Sequence, residues 1–371
     1  MDWMPTDAAI AAARRRLDDL SRRGREFLGC DVAILGGAMS WLSERHLVAA
    51  ISEAGGFGVI ACGSLHAPQL DEEIAATAEL TRRPFGVNLI TMHPEIDQLI
   101  DVCAARGVSH IALAGGLPRA ASIARIKDAS TKVIAFAPTL AIAKRLVRSG
   151  VDALVIEGME AGGHIGPVST NVLAQEILPN ISDVPVFVAG GIGRGEAIAM
   201  YLEAGAAGTQ MGTRFVCATE SIAHPNFKKA FIRANARDAV LSVQLDERFP
   251  VIPVRALANE ASKRFLEVQR DVIDRFNAGS LTQTEAQLEI EHFWAGALRR
   301  AVIEGDVQGG SIMAGQSVGL VTKEQSVAEI IAELVGQAVT ALAARTRPDG
   351  ARQPSQPDVR QVSESVASQT R

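Results

Sequence analysis

A repeated pattern between residues 32 and 211 most constrains how this chain of 371 residues can fold. Short apolar runs bounded by glycine or proline alternate with segments of helical length. Uninterrupted apolar runs are typical of parallel strands that are buried on both faces. The predicted strands are Val32–Leu35, Phe57–Cys62, Phe85–Leu89, His110–Ala114, Val133–Ala137, Ala153–Ile156, Val186–Ala189 and Gly208–Met211.

Eight strand–helix units predict an α/β TIM barrel. A doubly wound open sheet is the alternative, but the count of eight and the glycines that directly follow strands favour the barrel. Residues from about 226 to 304 are polar and helical, with few strand candidates, of which Ala239–Leu245 is one, and they predict a smaller, mostly helical inserted domain over the barrel mouth. The predicted units are an N-terminal helical extension (1–27), the barrel (28–225 plus 305–344), the inserted domain (226–304) and a disordered tail (345–371).

Composition excludes several classes of function. The net charge is −5 with no long basic run, and aromatic residues make up only 4%, so nucleic acid is not an expected partner. No stretch reaches the roughly 18 apolar residues that span a bilayer, and no signal sequence is evident, which predicts a cytoplasmic protein. The four cysteines are widely separated, so neither a disulfide framework nor a structural metal site is expected.

The segment 157–166, after the sixth predicted strand, holds four glycines around one histidine, His164. Glycines raise the entropic cost of ordering a loop, and the usual benefit is close approach of the backbone to a ligand. Histidine exchanges protons near neutral pH, so His164 is the candidate catalytic acid or base. A purely structural histidine is the alternative.

Two glycine loops follow the seventh and eighth predicted strands, where TIM barrels commonly bind phosphate. The first contains Gly190, Gly191 and Gly193, and the second begins with Gly212 and Thr213. Backbone N–H groups of both loops and the Thr213 hydroxyl predict a phosphate site. Tight turns that only close a barrel are the alternative reading of the same glycines.

Other strand ends carry groups suited to a flat cofactor. Gly37, Ala38 and Met39 follow the first strand and offer a small-residue backbone, although a tight turn would use the same residues. Asn88 and Glu157 end the third and sixth strands, where each is either a cofactor contact or a cap. No lysine occupies a strand end, which disfavours an aldolase or isomerase without flavin; a pure binding protein would not need glycine-lined strand ends.

Four motifs occur in one order: Glu-Ala-Gly-Gly-His at 160–164, Ala-Gly-Gly-Ile at 189–192, Gly-Thr-Arg-Phe at 212–215 and Met-Ala-Gly-Gln at 313–316. Together they resemble the nitronate monooxygenase family, formerly 2-nitropropane dioxygenases, whose superfamily includes the flavin-dependent enoyl-acyl carrier protein reductases. The resemblance covers about residues 28 to 340. It implies noncovalent FMN at the barrel mouth and a catalytic His164 near its reactive face. The implied cofactor contacts are Gly37, Ala38, Met39, Asn88, Glu157, Gly163, Gly190, Gly191, Gly193, Gly212, Thr213 and Gln316.

The resemblance leaves the reaction open between two kinds of enzyme. As a nitronate monooxygenase, which is the first expectation, the protein would oxidise alkyl nitronates with O2 through the noncovalent flavin and His164. As an enoyl-acyl carrier protein reductase, or as a quinone reductase, it would take electrons from NADH or NADPH. Ala38 stands where the reductases tend to have a glycine, whereas residues 309–316 resemble the reductases closely. The expected partner is a small molecule, a nitronate or an enoyl thioester, and a homodimer is left open.

Overall fold

The computed structural model describes residues 5–251 and 253–345. Its strands are β1 (Ile34–Gly36), β2 (Gly58–Ala61), β3 (Phe85–Ile90), β4 (His110–Ala114), β5 (Lys132–Phe136), β6 (Ala153–Glu157), β7 (Gly163–His164), β8 (Val186–Ala189), β9 (Gly208–Met211), β10 (Ala239–Leu241) and β11 (Val254–Leu257). Its helices are α1 (Asp7–Leu28), α2 (Arg45–Glu53), α3 (Ala67–Leu80), α4 (Ile96–Ala105), α5 (Ala120–Asp128), α6 (Leu140–Arg148), α7 (Thr170–Ile177), α8 (Gly195–Glu203), α9 (Pro225–Arg233), α10 (Glu260–Asn277), α11 (Gln283–His292), α12 (Ala297–Glu304) and α13 (Val327–Arg345).

Eight of these strands form one parallel sheet in the order β1-β9-β8-β6-β5-β4-β3-β2. The two ends of the sheet meet, because the Phe57 N–H donates to the Ile34 carbonyl and the Gly36 N–H donates to the Phe57 carbonyl, both at 2.9 Å. The predicted TIM barrel is therefore confirmed. Each observed barrel strand begins and ends within two residues of its predicted bounds.

Side-chain alternation decides which residues of a barrel strand face the interior. In β6, Ala153 and Val155 pack among the interior residues, whereas Leu154 and Ile156 pack under the surrounding helices. The same alternation turns Glu157, two residues beyond Val155, toward the inside at the open end of the barrel. Polar side chains at the carboxyl end of a strand therefore enter the barrel mouth directly.

The N-terminal helix α1 covers the opposite end of the barrel. The sequence predicts an N-terminal helical extension over residues 1–27, and the observed α1 spans Asp7–Leu28 and packs against α13 and α8. Its Phe27 ring meets the His110 ring at 5.0 Å between centroids, and Phe57 meets His110 from another side at 5.0 Å. These rings close the amino-terminal end, which leaves the carboxyl ends of the strands as the accessible face.

The last strand–helix unit is interrupted by a long insertion between β9 and α13. Gln325 returns beside Ala218, where the two residues form a parallel bridge. Within this segment, β10, β11 and β7 form an antiparallel sheet in that order, although β7 belongs to the loop after β6. The predicted strand Ala239–Leu245 is shorter, Ala239–Leu241, and β11 was not predicted.

A separate apolar core supports the inserted helices. It contains Phe249 from the connection between β10 and β11, Phe265 and Val272 from α10, and Ile290 from α11. The bounds of the inserted domain, residues 226–304, stay a prediction. The predicted disordered tail lies outside the described residues except for Arg345.

Among the described residues, α13 is the one helix long and apolar enough to cross a membrane by length and composition alone. It packs against α8, α1 and α2, in the outer layer that completes the barrel. An apolar helix in such a layer is a normal component of a barrel core. The cytoplasmic location stays a prediction.

His110 is a buried titratable group at the closed end of the barrel, 4% exposed. Its Nε2 lies 2.9 Å from the Phe27 carbonyl oxygen, which only accepts hydrogen bonds, so Nε2 carries the proton. Burial lowers its pKa from 6.5 to about 4. Between these two values the unfolded chain binds more protons than the folded protein, so this residue makes stability rise with pH.

We predict that His110→Gln removes a pH dependence worth roughly 3 kcal/mol of unfolding free energy between pH 6.5 and about 4. Urea denaturation of the variant and the unmodified protein across this window measures the difference. Substitution of the exposed His46 by Gln serves as the control. If the unmodified protein and His110→Gln lose stability equally on acidification, the buried neutral histidine is not the cause.

Candidate active site at the carboxyl ends of the barrel strands

A cavity of about 420 Å³ opens at the carboxyl ends of the barrel strands. Loops after β1, β6, β8 and β9 form its walls, and residues 313 and 317 border it from the segment that leads back to the barrel. All strand ends of a parallel barrel converge on this face, so loops far apart in sequence meet here. The volume is sufficient for a small organic cofactor.

Glycine backbone forms much of the cavity wall. Gly190 and Gly191 have φ values of 96° and 72°, in the left-handed region that side chains rarely adopt. A Cβ on Gly191 would also lie 3.0 Å from the Cβ of Glu160. Within the described chain, the N–H groups of Gly191 and Gly193 donate to no backbone or side-chain acceptor. The loop thus presents unpaired donors, as an anion-binding loop does.

Thr213 links the second glycine loop to the segment after the insertion. Its Oγ1 accepts a hydrogen bond from the Gly315 N–H at 3.0 Å. Because a hydroxyl that accepts keeps its own proton, Thr213 remains able to donate toward the cavity. The Gln316 N–H donates to the Glu160 carbonyl at 2.9 Å, which ties the segment after the insertion to the loop after β6 as well.

Three polar side chains form the floor of the cavity. The Asn88 amide donates to the Ala112 carbonyl at 3.0 Å and is held in one orientation. Glu157 and Gln210, the latter only 9% exposed, have no side-chain hydrogen bond to any other described residue. Burial raises the pKa of Glu157 from 4.5 to about 7. Polar groups in such sheltered positions are normally paired, so Glu157 and Gln210 are available to pair with a polar ligand in the cavity.

His164 stands at the edge of this cavity on the two-residue strand β7. Its backbone pairs with Val254 of β11, and the Ile165 N–H donates to the Pro253 carbonyl at 3.1 Å. The side chain is exposed in the cleft, yet the surrounding protein shields the ring from bulk water and lowers its pKa. The imidazole is therefore held mostly neutral at neutral pH, able to accept a proton.

A second cavity of about 440 Å³ lies on the other side of His164. The two cavities share His164, Leu298 and Met313, so they meet at the histidine. We call the second cavity the apolar chamber; its lining is mainly carbon, including Val240, Leu241, Val254, Phe265, Ile290 and Trp294. No pattern in the sequence predicted it, because its walls come from β10, β11, α10 and α11, which meet only in the folded insertion.

Asn259 and Ser262, in the wall of the apolar chamber, already have hydrogen-bond partners within the protein. The Asn259 amide donates to the carbonyls of Val307 and Gly310, at 2.9 and 2.8 Å, and its Oδ1 accepts from the Ser262 N–H. The Ser262 hydroxyl donates back to the Asn259 carbonyl at 2.7 Å. The chamber therefore offers a ligand apolar surface with few free hydrogen-bonding groups.

The structure brings almost all the predicted site residues together. His164 and every predicted cofactor contact except Gly193 and Gln316 line the first cavity. Gly193 faces Leu320 and Ser317 instead, since a Cβ there would lie 2.7 Å from the Leu320 Cδ1. Gln210 was missed, although a glutamine at an inward position of an apolar strand was a usable signal.

Comparison with known proteins agrees with this geometry. The family model of nitronate monooxygenase matches residues 23–98 and 95–337. The structure of FabK from Thermotoga maritima superposes with a TM-score of 0.77 at 35% identity, covering 85% of this chain and 95% of that one.

Two further relatives also align over most of their length. A 5-hydroxy-7a-methyl-1-oxo-octahydro-1H-indene-4-carboxyl-CoA dehydrogenase of Rhodococcus jostii is 28% identical, over 85% of this chain and 94% of that protein. A probable nitronate monooxygenase of Staphylococcus saprophyticus is 26% identical, over 76% of this chain and 93% of that protein.

Proposed function

The chain belongs to the nitronate monooxygenase family and is an oxidoreductase, and we propose that it binds FMN in the cavity at the strand ends. The family is flavin-dependent in general. One observation carries the proposal: a glycine-walled cavity with unpaired polar groups on its floor adjoins one histidine. This donor set fits a planar, polar ring with a phosphate tail.

The residues that would hold FMN fall into two groups. The unpaired N–H of Gly191, the neighbouring backbone of Gly190 and Gly212, and the Thr213 hydroxyl would bind the phosphate. Asn88, Glu157 and Gln210 would pair with polar atoms of the ring, and the small residues 37–39 would allow the ring to approach the backbone. When bound, FMN supplies the redox step by taking electrons from a donor and passing them to an acceptor.

His164 is the proposed proton-handling residue. It lies where the FMN cavity meets the apolar chamber, so it can contact the reacting end of a substrate. Its lowered pKa keeps an imidazole nitrogen free to accept a proton and return it. An apolar acyl body bound in the carbon-lined chamber would displace water from the same place, which would strengthen hydrogen bonds to a developing charge.

For the substrate, we propose a thioester of an α,β-unsaturated acid, reduced with electrons from NADH or NADPH. The size and carbon lining of the apolar chamber support an apolar acyl body placed beside His164. The relative from Rhodococcus jostii is named for action on a carboxyl-CoA, which is a thioester. His164 would then donate a hydrogen bond to the thioester carbonyl or supply the proton that completes reduction.

Oxidation of an alkyl nitronate with O2, the first expectation from the sequence, is the second candidate. The family name and the relative named a probable nitronate monooxygenase support it. In that reaction His164 would position the nitro group or take its α-proton. A small alkyl nitronate would fill only a minor part of the two cavities, so their combined size favours the thioester.

Anaerobic reduction of the purified protein tests the two reactions. We expect NADH or NADPH to bleach the blue flavin absorbance rapidly and an enoyl thioester to restore it. A propyl nitronate should bleach it slowly or not at all. Rapid bleaching by the nitronate alone would establish nitronate oxidation instead, and absence of flavin absorbance after reconstitution with FMN would refute the FMN site.

We predict that His164→Ala binds FMN normally but turns over about 10²–10⁴-fold more slowly, the range for general acid–base residues. Steady-state kinetics and flavin fluorescence titration measure the two effects separately. His46→Ala, on the exposed surface of α2, is the matched control. Undiminished turnover in His164→Ala would contradict a catalytic role.

We predict that Gly191→Val abolishes FMN binding, because a branched side chain meets Glu160 and obstructs the phosphate loop. Gly279→Val is the matched control: Gly279 also has positive φ, 75°, but a Cβ there meets no atom within 4 Å. Equilibrium dialysis against FMN compares the two folded variants. Equal FMN affinity in both would place the phosphate elsewhere.

A further inference from the structure

Arg255, in the middle strand of the small antiparallel sheet, is a buried cation, only 4% exposed. Its Nε donates to the Met159 carbonyl at 2.9 Å, and its Nη1 donates to the Ala239 carbonyl at 2.6 Å. Within the described chain no carboxylate lies at ion-pair distance from it, although the charge of Glu160 acts on it from farther away. A buried guanidinium that binds carbonyls instead of a counter-ion is costly, so packing alone does not explain it.

Arg255 holds one short segment by two independent contacts. Its backbone pairs with Gly163, and the neighbouring Val254 pairs with His164. Its side chain binds the carbonyl of Met159, four residues earlier in the same segment. The residues between these contacts form the loop that presents His164, so strand pairing and guanidinium together limit where the imidazole lies.

Strand β11 contributes to two parts of the site. Val254, Ala256 and Leu257 line the apolar chamber. Arg255 does not, and its side chain reaches Met159 in the loop after β6 instead. One strand therefore forms part of the chamber wall and also secures the histidine loop.

We propose that Arg255 is a positioning residue whose guanidinium fixes segment 159–164 against β11 and thereby holds His164 at the junction of the two cavities. This inference rests on the proposed role of His164. Among the charged groups near the histidine, Glu157 shares the first cavity with it, Glu291 shares the apolar chamber, and Arg255 lies on the paired strand β11. Burial, not these charges, lowers the pKa of His164.

The test compares Arg255→Met, Arg255→Lys and the control Arg237→Met, which alters an exposed arginine. In Arg255→Met we expect amide hydrogen exchange of residues 159–165 to accelerate at least about tenfold and turnover to fall by about 10²-fold, as for a misplaced catalytic group. FMN affinity should stay within about threefold, because the proposed phosphate loops do not contact Arg255. Arg255→Lys should recover part of both losses.

The pH–rate profile separates positioning from general destabilisation. The limb of the pH–rate curve that disappears in His164→Ala reports the titration of His164. A loosened loop exposes the imidazole and raises its pKa toward the ordinary value of histidine, so this limb should move to higher pH in Arg255→Met. A purely structural role would lower turnover without moving this limb.

The outcomes are distinguishable. Unchanged exchange at residues 159–165 in folded Arg255→Met overturns the proposal, whatever the reaction. Faster exchange with unchanged turnover and an unmoved limb upholds the loop contact but refutes the catalytic role of His164. If Arg255→Met is insoluble, Arg255→Leu takes its place, and exchange at residues 159–165 that matches the unmodified protein overturns the proposal equally.

Discussion

Closure of the parallel sheet is the constraint on which the rest of the structure depends. Two backbone hydrogen bonds, from Phe57 to Ile34 and from Gly36 to Phe57, join the ends of the sheet. Because all eight strands are parallel, the closed barrel brings the carboxyl end of every strand to one face. With the other end filled by Phe27, His110 and neighbouring rings, ligand access is restricted to the face where the glycine loops lie.

Much of this architecture was predictable because it repeats locally. Each barrel strand is an apolar run of the length that a buried parallel strand requires, and each glycine loop directly follows such a run. Residues at the ends of strands, such as Asn88, Glu157 and Gly191, could therefore be assigned to one site without knowing any contact. Their position just after a predicted strand was enough for this assignment.

The parts that were not predictable arise from pairing between distant segments. β7 has two residues, too few for any periodic signal, and it pairs with β11 about ninety residues later. The apolar chamber exists only after β10, β11, α10 and α11 meet, so no single run of sequence encodes it. Arg255 illustrates the limit well: an arginine in a short strand reads as exposed, but here it is buried against backbone carbonyls.

The bridge between Ala218 and Gln325 has a consequence for how such enzymes diverge. Because the insertion leaves and rejoins the barrel at one point, its length and internal structure place little strain on the strands. The entropic cost of a longer loop grows only with the logarithm of its length. The insertion also packs on the barrel through an apolar cluster that joins Leu42 and Val216 to Phe227 and Val302. The lining of the apolar chamber can therefore change within the insertion while the cavity at the strand ends keeps its shape.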